Sequence, residues 1–315
     1  MDVTDASELS SRLLDEVGSA VIADRGFFET VLLGVVSKGH VLLEDVPGTG
    51  KTLTARSMAT ALGLSFSRVQ FTPDLLPADI TGTHVFNEQT REFEFTRGPI
   101  FANVVLADEI NRAPPKTQSA MLEAMEEGQV TVDGDTYDLP QPFFVMATQN
   151  PVDMEGTFEL PEAQVDRFLA KTAIGYPDSE GEVELLRRRA GRDTQSPTVE
   201  SVLDPQQVEE LRTVPETVQV DDDLLTYMAD IARATREDYR VEVGVSPRGT
   251  QRLFEAARAM AAMAGREFVA PDDIKRVAQP VLAHRLVLTP DARVENVDKA
   301  TIVENVLGEV PVPTV

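Results

Sequence analysis

The chain has 315 residues, 53 of them acidic and 29 basic, and so carries a formal net charge of −24. Hydrophobic residues make up 42% of the sequence, which excludes intrinsic disorder over most of its length, and the length favours about two domains. The absence of cysteine excludes disulfides, thiolate zinc sites and cysteine nucleophiles. The three histidines are scattered along the chain, so a histidine-built metal site is not expected.

Charge and hydropathy also limit the partners of the protein. Nucleic-acid-binding proteins need a basic surface, and the only tight basic cluster here is residues 187–189, so we expect no nucleic-acid partner. No apolar run approaches the ~18 residues that cross a membrane, and the acidic N-terminus lacks the layout of a signal peptide. We therefore expect a cytoplasmic protein without direct membrane insertion.

Acidic residues greatly outnumber basic ones, and the basic residues are 6 Lys and 23 Arg. Dissolved salt screens the self-repulsion of a highly charged chain, so this composition predicts a halophilic protein from a salt-adapted cytoplasm. An acidic protein from an ordinary cell is the alternative.

The first part of the chain alternates helical and strand patterns. Residues 5–36 have helical apolar spacing, 40–44 form a short apolar run, and 51–62 form a helix that Gly63 ends. Further short apolar runs of strand type follow at 67–71, 103–107, 143–147 and 169–174. This alternation predicts an α/β fold with a parallel sheet.

Two hairpins and a second domain complete the predicted organisation. One hairpin spans residues 84–97, and the other pairs 130–132 with 136–139 across an Asp-Gly-Asp turn. Beyond Pro177 helical patterns dominate, and the polar stretch 192–197 resembles a linker. We therefore predict an α/β core over residues 1–194 and a smaller helical domain over 195–315.

The strongest functional feature is the stretch DVPGTGKT from Asp45 to Thr52, which lies between a predicted strand and a helix. In a phosphate-binding loop, glycine backbone N–H groups and the helix N-terminus cradle the phosphates, Lys51 pairs with them and Thr52 holds Mg²⁺. Asp45 replaces the first glycine of the usual pattern, and a plain glycine-rich turn is the alternative. The residues expected to bind ATP are Pro47, Gly48, Thr49, Gly50, Lys51, Thr52 and Leu53.

A pair of acids and a polar group follow two later strands. The strand at 103–107 leads into Asp108 and Glu109, which in nucleotide hydrolases hold Mg²⁺ and activate the attacking water. The strand at 143–147 delivers Asn150 to the same sheet edge, where its amide could orient water. Taken alone, the acids could form a solvated strand end and Asn150 could open the turn at Pro151.

Two arginines are further candidates. Arg248 follows Ser246 and Pro247 in the first turn of a helix, where the dipole disfavours a cation, so an approaching phosphate would explain it. Arg167 precedes the strand at 169–174 and could stabilise phosphoryl-transfer charge across a subunit interface. A solvent-exposed Arg248 and an Arg167 paired with Asp166 are the structural alternatives.

Together these stretches resemble the MoxR family of AAA+ ATPases over about residues 20–290. The similarity lies in LLEDVPGTGKT (42–52), QFTPDLLPADITG (70–82), LADEINRAPPKTQSAMLEAMEEGQV (106–130), ATQNPVDMEGTFELPEAQVDRF (147–168), GVSPRGTQRL (244–253) and VLAHRL (281–286). The resemblance implies an AAA+ core with a five-stranded parallel sheet, followed by a small all-helical lid.

The resemblance also implies residue roles. Lys51 and Thr52 form the Walker A pair, Asp108 and Glu109 form the Walker B pair, Asn150 is sensor 1, Arg167 is the arginine finger and Arg248 is sensor 2, acting on the nucleotide of its own chain. The hairpin near residues 73–95 is the helix-2 insert, and the hairpin near 129–139 precedes sensor 1. Residues 21–23 are expected near the adenine, although Ala23 replaces the usual glycine.

Assembly and activity follow from the same resemblance. It implies a homo-hexameric ring that hydrolyses ATP with Mg²⁺ and remodels a partner protein in a chaperone-like role, and it suggests a protein bearing a von Willebrand factor A domain as that partner. Three alternatives stay open: a magnesium-chelatase-like motor for metal insertion, a nucleic-acid motor, and a regulatory nucleotide-binding module with little hydrolysis.

Overall fold

Two helices precede the central sheet of the computed structural model, which describes residues 1–151, 157–158, 160–194 and 196–313. Helix α1 (Val3–Ala20) begins at Asp2, whose carboxylate accepts hydrogen bonds from two backbone amides. Helix α2 (Arg25–Val36) begins at Asp24 in the same way. The predicted helical stretch 5–36 is therefore two helices, because Asp24 caps the second one.

The predicted five-stranded parallel sheet is present. Its strands are β1 (Val41–Glu44), β2 (Phe66–Gln70), β5 (Val104–Asp108), β8 (Phe144–Gln149) and β9 (Ala170–Thr172). They lie in the order β2-β5-β8-β1-β9, and every neighbouring pair is parallel. All five residues of β5 are buried, as expected of a strand covered on both faces. The carboxyl ends of the strands therefore meet along one edge, where the predicted polar residues follow them.

The remaining strands of the first part form the two predicted hairpins. Strand β3 (Gly82–Asn87) pairs with β4 (Glu92–Arg97), and β6 (Gln129–Val132) pairs with β7 (Asp135–Asp138). The second turn places Asp133 and Gly134 at positive φ, the conformation that a two-residue hairpin turn requires. The hairpins also touch each other, because the rings of Phe95 and Tyr137 stack with centroids 4.0 Å apart.

Helices connect these strands and cover the sheet. They are α3 (Lys51–Ala61), α4 (Pro77–Thr81), α5 (Pro115–Glu127), α6 (Glu162–Val165) and α7 (Ser179–Ala190), with a 3₁₀ turn at Ile110–Arg112. Gly63 has a φ of +66° just after α3, where the sequence predicted the end of this helix. None of the described helices is long and apolar enough to cross a membrane.

The last part of the chain is helical, as predicted. It contains α8 (Pro205–Leu211), α9 (Asp222–Glu237), α10 (Pro247–Met263), α11 (Pro271–Leu282), α12 (Pro290–Val294) and α13 (Lys299–Glu309), with 3₁₀ turns at Val214–Thr217 and Ala283–Arg285. A short antiparallel pair of strands, β10 (Val241–Val243) and β11 (Val287–Leu288), was not expected there. These strands are too short to produce a readable alternation.

Buried apolar side chains join the helical part to the sheet. One cluster runs from the face of the sheet beneath α1, α2 and α3 into the last helices, and a second fills the opposite face with α5. Helix α1 contacts both α3 and α10. The predicted division into domains 1–194 and 195–315 stays a prediction, and residues 195, 314 and 315 lie outside the described residues, as do 152–156 and 159 of the stretch 147–168.

Candidate nucleotide-binding site

The glycine-rich loop lies between β1 and α3, as the sequence predicted. Gly48 has a φ of +89° and Gly50 a φ of +99°, both in the left-handed region. A Cβ built on either glycine meets nothing within 4 Å, so the backbone conformation and not crowding requires glycine here. Lys51 donates from its ammonium to the carbonyl oxygens of Asp45 (2.7 Å) and Val46 (2.9 Å), which fixes its position at the loop.

The structure explains why an aspartate stands at the first position of the loop. One oxygen of Asp45 accepts from the backbone amides of Ile174 (2.9 Å) and Gly175 (2.8 Å), and the other accepts from Val46 (2.8 Å). The side chain is buried. Asp45 therefore fastens the phosphate-binding loop to the segment that follows β9, a function that glycine cannot perform.

A cleft of about 360 Å³ opens beside the loop at the carboxyl edge of the sheet. Its lining residues are Pro47, Gly48, Gly50, Lys51, Thr52, Leu53, Arg68, Gln70, Asp108, Glu109, Thr148 and Asn150. The lining includes every residue of the predicted stretch 47–53 except Thr49, whose hydroxyl donates to the carbonyl oxygen of Val46. Chain folding therefore brings the loop, both acids and Asn150 together from three strands.

Asp108 is held on both of its oxygens. The Thr148 hydroxyl donates to one oxygen at 2.6 Å. Arg68 approaches the other through two nitrogens, at 2.6 and 3.0 Å. The sequence interpretation missed Arg68, which reaches Asp108 because β2 lies beside β5 in the sheet.

Glu109 occupies a strained backbone position with a φ of +56°. This conformation costs a non-glycine residue about 1–3 kcal/mol, and such strain clusters at functional sites. The Glu109 amide donates to the Thr148 hydroxyl (2.8 Å), while its carboxylate accepts from Gln70 (2.9 Å) and Arg112 (3.1 Å). Gln70 was also missed, although polar residues at the end of β2 point to the same edge as the two acids.

The donor set suits a magnesium ion that is shared with phosphates. Among the described residues, no group of three or more His, Asp or Glu side chains could hold a metal ion alone. Magnesium usually takes one or two protein oxygens together with substrate phosphates and water. The hydroxyl of Thr52 and the carboxylate of Asp108, both lining the cleft, fit that requirement.

The two predicted arginines lie elsewhere. Arg167 is 3.1 Å from one carboxylate oxygen of Glu126, and Arg248 is 2.7 Å from the other. Both line a second cavity of about 340 Å³ together with Lys38, Gly39, His40, Met125, Glu126, Glu127 and Arg252. Neither arginine lines the cleft beside the phosphate-binding loop.

The expectation that Arg248 reaches the nucleotide of its own chain stays a prediction, and in this structure Arg248 faces Glu126 and does not line the cleft. Helix α10 begins beside the end of α5, so the cation in its first turn meets Glu126 instead of a phosphate of the cleft. The carboxylate offsets the unfavourable helix dipole at Arg248. Arg167 is paired with Glu126 and not with Asp166, whose carboxylate instead pairs with Arg285.

Comparisons with known proteins agree with this geometry. The family described as "ATPase family associated with various cellular activities (AAA)" matches residues 40–170, and the AAA lid domain family matches residues 233–306. The chain is 42% identical to the chaperone MoxR1 of Mycobacterium tuberculosis, over 96% of this chain and 82% of that protein. The chain belongs to the MoxR family of AAA+ ATPases.

Other relatives of this MoxR-family chain range from similar proteins to more distant ones. It is 46% identical to protein YeaC of Bacillus subtilis, over 98% of this chain and 96% of that one. A crystal structure of a Cytophaga hutchinsonii protein superposes with a TM-score of 0.91 at 39% identity, covering 99% of this chain and 97% of the other. Magnesium-chelatase subunits are more distant, since the chloroplastic ChlI subunit of Glycine max is 28% identical over 79% of this chain and 56% of its own.

Proposed function

We propose that this MoxR-family chain hydrolyses ATP, with Mg²⁺, in the cleft beside its phosphate-binding loop. The loop amides and Lys51 bind the β- and γ-phosphates, and the Thr52 hydroxyl and Asp108 carboxylate hold the ion, which neutralises charge that develops on the phosphates. Glu109 accepts the proton of the attacking water. Asn150, buried at the same edge, orients that water.

The arginines act between copies of the chain. Arg167 and Arg248 lie together in a cavity whose lining also holds Lys38 and Arg252, against the carboxylates of Glu126 and Glu127. This excess of positive charge suits an anion, and the chain's own cleft does not include these arginines. We propose that they reach the γ-phosphate of a nucleotide bound to a neighbouring copy in a homo-oligomeric ring, with six members by resemblance to the family.

The separation of the two arginines from the cleft is the observation that carries this proposal. Among the described residues, the one arginine that lines the cleft, Arg68, is bound to Asp108, so the cleft of a single chain has its own Walker residues but no further arginine to meet the γ-phosphate. A ring completes each site with the next copy and makes hydrolysis depend on assembly.

The output of the cycle is remodelling of a partner protein in a chaperone-like role. The relative MoxR1 carries the name chaperone, and the two linked hairpins leave apolar side chains such as Phe93 exposed, which suits contact with another polypeptide. A protein with a von Willebrand factor A domain remains the proposed partner, and a salt-adapted cytoplasm the proposed compartment.

A mixing experiment tests the central proposal. The Glu109→Gln variant lacks the base but supplies the arginines, while Arg167→Ala keeps an intact cleft without one of them. Each variant alone should hydrolyse ATP at least about a hundredfold more slowly than wild type, and a random mixture should recover about a quarter of wild-type ATPase activity per subunit, measured with Mg²⁺ in high KCl. A mixture that stays inactive, with both variants assembled, contradicts completion of the site between copies.

A concentration series is the companion measurement. Specific ATPase activity of the wild-type chain should rise with protein concentration as rings assemble. Activity that is flat down to concentrations where the chain sediments as a monomer would show that each chain is catalytically complete by itself.

A further inference from the structure

A buried arginine, Arg285, links the helical domain to the loop that carries Arg167. Its Nε lies 2.9 Å from the Asp166 carboxylate, and one terminal nitrogen donates to the carbonyl oxygens of Asp166 (3.1 Å) and Phe168 (2.8 Å). The other terminal nitrogen donates to the carbonyl oxygen of Leu169 at 3.2 Å. One planar side chain therefore holds the residues on both sides of Arg167 by their backbone.

The same side chain lies against the start of α10. A Cβ built on Gly249 would come within 2.9 Å of Arg285 Cδ, so the helix packs there only because position 249 is a glycine. Gly249 directly follows Arg248. Arg285 therefore touches both of the segments that present arginines to the second cavity.

Burying this guanidinium is costly. The Arg285 side chain is 1% exposed, and burial lowers its pKa to about 10, even though Asp166 favours the charged form. Apolar residues of similar volume often replace buried ion pairs without loss of stability, so folding alone gives little reason for a charge here. The contacts to Asp166, Phe168 and Leu169 instead specify one conformation of one loop.

We propose that Arg285 is the positioning residue for Arg167 and Arg248: it fixes the loop 166–169 and the first turn of α10 at one distance, so that both arginines meet one anionic ligand. This inference rests on the proposed function, in which the ligand is the γ-phosphate of a nucleotide on a neighbouring copy. Arg285 itself makes no contact with that nucleotide.

The Arg285→Lys variant of the full chain tests the proposal. Lysine keeps the charge but loses the planar fork, so it cannot hold the Asp166, Phe168 and Leu169 oxygens together. Because small displacements of catalytic groups cost up to about a hundredfold in rate, we expect kcat to fall about ten- to a hundredfold, with the KM for ATP changing less than about threefold. In an Arg167→Ala/Arg248→Ala background, the same substitution should lower the residual kcat less than about twofold.

Arg266→Lys is the matched control. Arg266 also lies in the helical domain and pairs with a buried carboxylate, that of Asp273, but it has no contact with the loop 166–169. The Arg266→Lys substitution should lower the melting temperature and leave kcat within about twofold of wild type. If Arg285→Lys lowers kcat equally in both backgrounds, or lowers only the melting temperature as Arg266→Lys does, the proposal is wrong.

Hydrogen exchange gives a readout that is independent of catalysis. The amides of Arg167, Phe168 and Leu169 all donate to backbone carbonyls in the folded chain. Their exchange should be faster in Arg285→Lys by about tenfold and unchanged in Arg266→Lys, because loss of the fork frees the loop locally. Unchanged exchange in both overturns the positioning role. If instead the double arginine variant keeps wild-type kcat, the proposed function fails, and exchange still decides whether Arg285 fixes the loop.

Discussion

Arg167 and Arg248 bind the two oxygens of one carboxylate, that of Glu126, at 3.1 and 2.7 Å. The three side chains are each about one-third exposed, so solvent weakens both pairs. A phosphate that enters the second cavity therefore competes with Glu126 for the same two cations. In the proposed ring, Glu126 is therefore the counter-ion that the neighbour's nucleotide has to displace.

Removing this competition should favour hydrolysis. Exposed ion pairs contribute about 0–1 kcal/mol each, so Glu126→Gln should raise kcat/KM for ATP about three- to tenfold at low salt. The measurement is steady-state ATPase activity against ATP concentration at a fixed concentration of assembled protein. Glu127→Gln is the matched control, because Glu127 lines the same cavity without an ion pair to either arginine and should leave kcat/KM unchanged. A lower kcat/KM in Glu126→Gln would show that the carboxylate orients the arginines instead of competing for them.

The strained acid after β5 should separate binding from hydrolysis. Glu109→Gln removes the base but keeps a side chain of the same shape, so kcat should fall about 10²- to 10⁴-fold. The dissociation constant for a fluorescent ATP analogue should change less than about threefold, because Lys51 and the loop amides remain. An unchanged kcat in this variant would remove Glu109 from the proposed mechanism.

The sequence predicted the parts of the site that are each contained in one short continuous segment of the chain. The phosphate-binding loop, the two acids and Asn150 each follow an apolar run, and parallel strands necessarily bring their carboxyl ends to one edge. The sequence did not predict Arg68 and Gln70 as site residues, because their contacts with the acids depend on the order of the strands in the sheet. Only the adjacency of β2 and β5, which pairs Gln70 with Asp108 in register, brings them to the acids.

The group that faces Arg248 could not be predicted from the sequence, for a related reason. The sequence showed correctly that a cation breaks the preference of a helix N-terminus, and it therefore needed a negative partner. Which partner satisfied it depended on how α10 packs beside the end of α5, a contact between segments far apart in the chain. The broken local rule therefore identified a position that needs an anionic partner but not the group that faces it.

Asp45 stands where the usual phosphate-binding motif has glycine, so the motif alone suggests that a glycine at this position would be harmless. The structure predicts the opposite. Asp45→Gly restores the usual first glycine, yet it removes a carboxylate that accepts three backbone hydrogen bonds and leaves the amides of Ile174 and Gly175 unpaired. We expect a loss of about 2–4 kcal/mol in the free energy of unfolding, together with a higher KM for ATP. Asp45→Asn keeps one carbonyl acceptor and should lose less stability. A glycine variant as stable as wild type would show that the contacts to the segment after β9 contribute nothing.

Buried histidine should make stability depend on pH. His40 donates from Nε2 to the Met125 carbonyl oxygen (3.0 Å) and accepts at Nδ1 from the Val145 amide (3.0 Å), and burial lowers its pKa from 6.5 to about 4. Between these values the unfolded chain binds more protons than the folded chain, so the free energy of unfolding falls as pH drops through this window. Burial also lowers the pKa of His284, which acts in the same direction.

A comparison of denaturation midpoints isolates this effect. The glutamine of His40→Gln can donate and accept but does not titrate, so the variant should lose about 2 kcal/mol less stability than wild type between pH 7 and pH 5. The measurement is urea unfolding of both chains at the two pH values in the same high salt. His40→Gln/His284→Gln should flatten the dependence further. Equal losses in wild type and His40→Gln would mean that His40 is protonated in the folded chain, and the packing around Met125 and Val145 would then have to open to admit the charge.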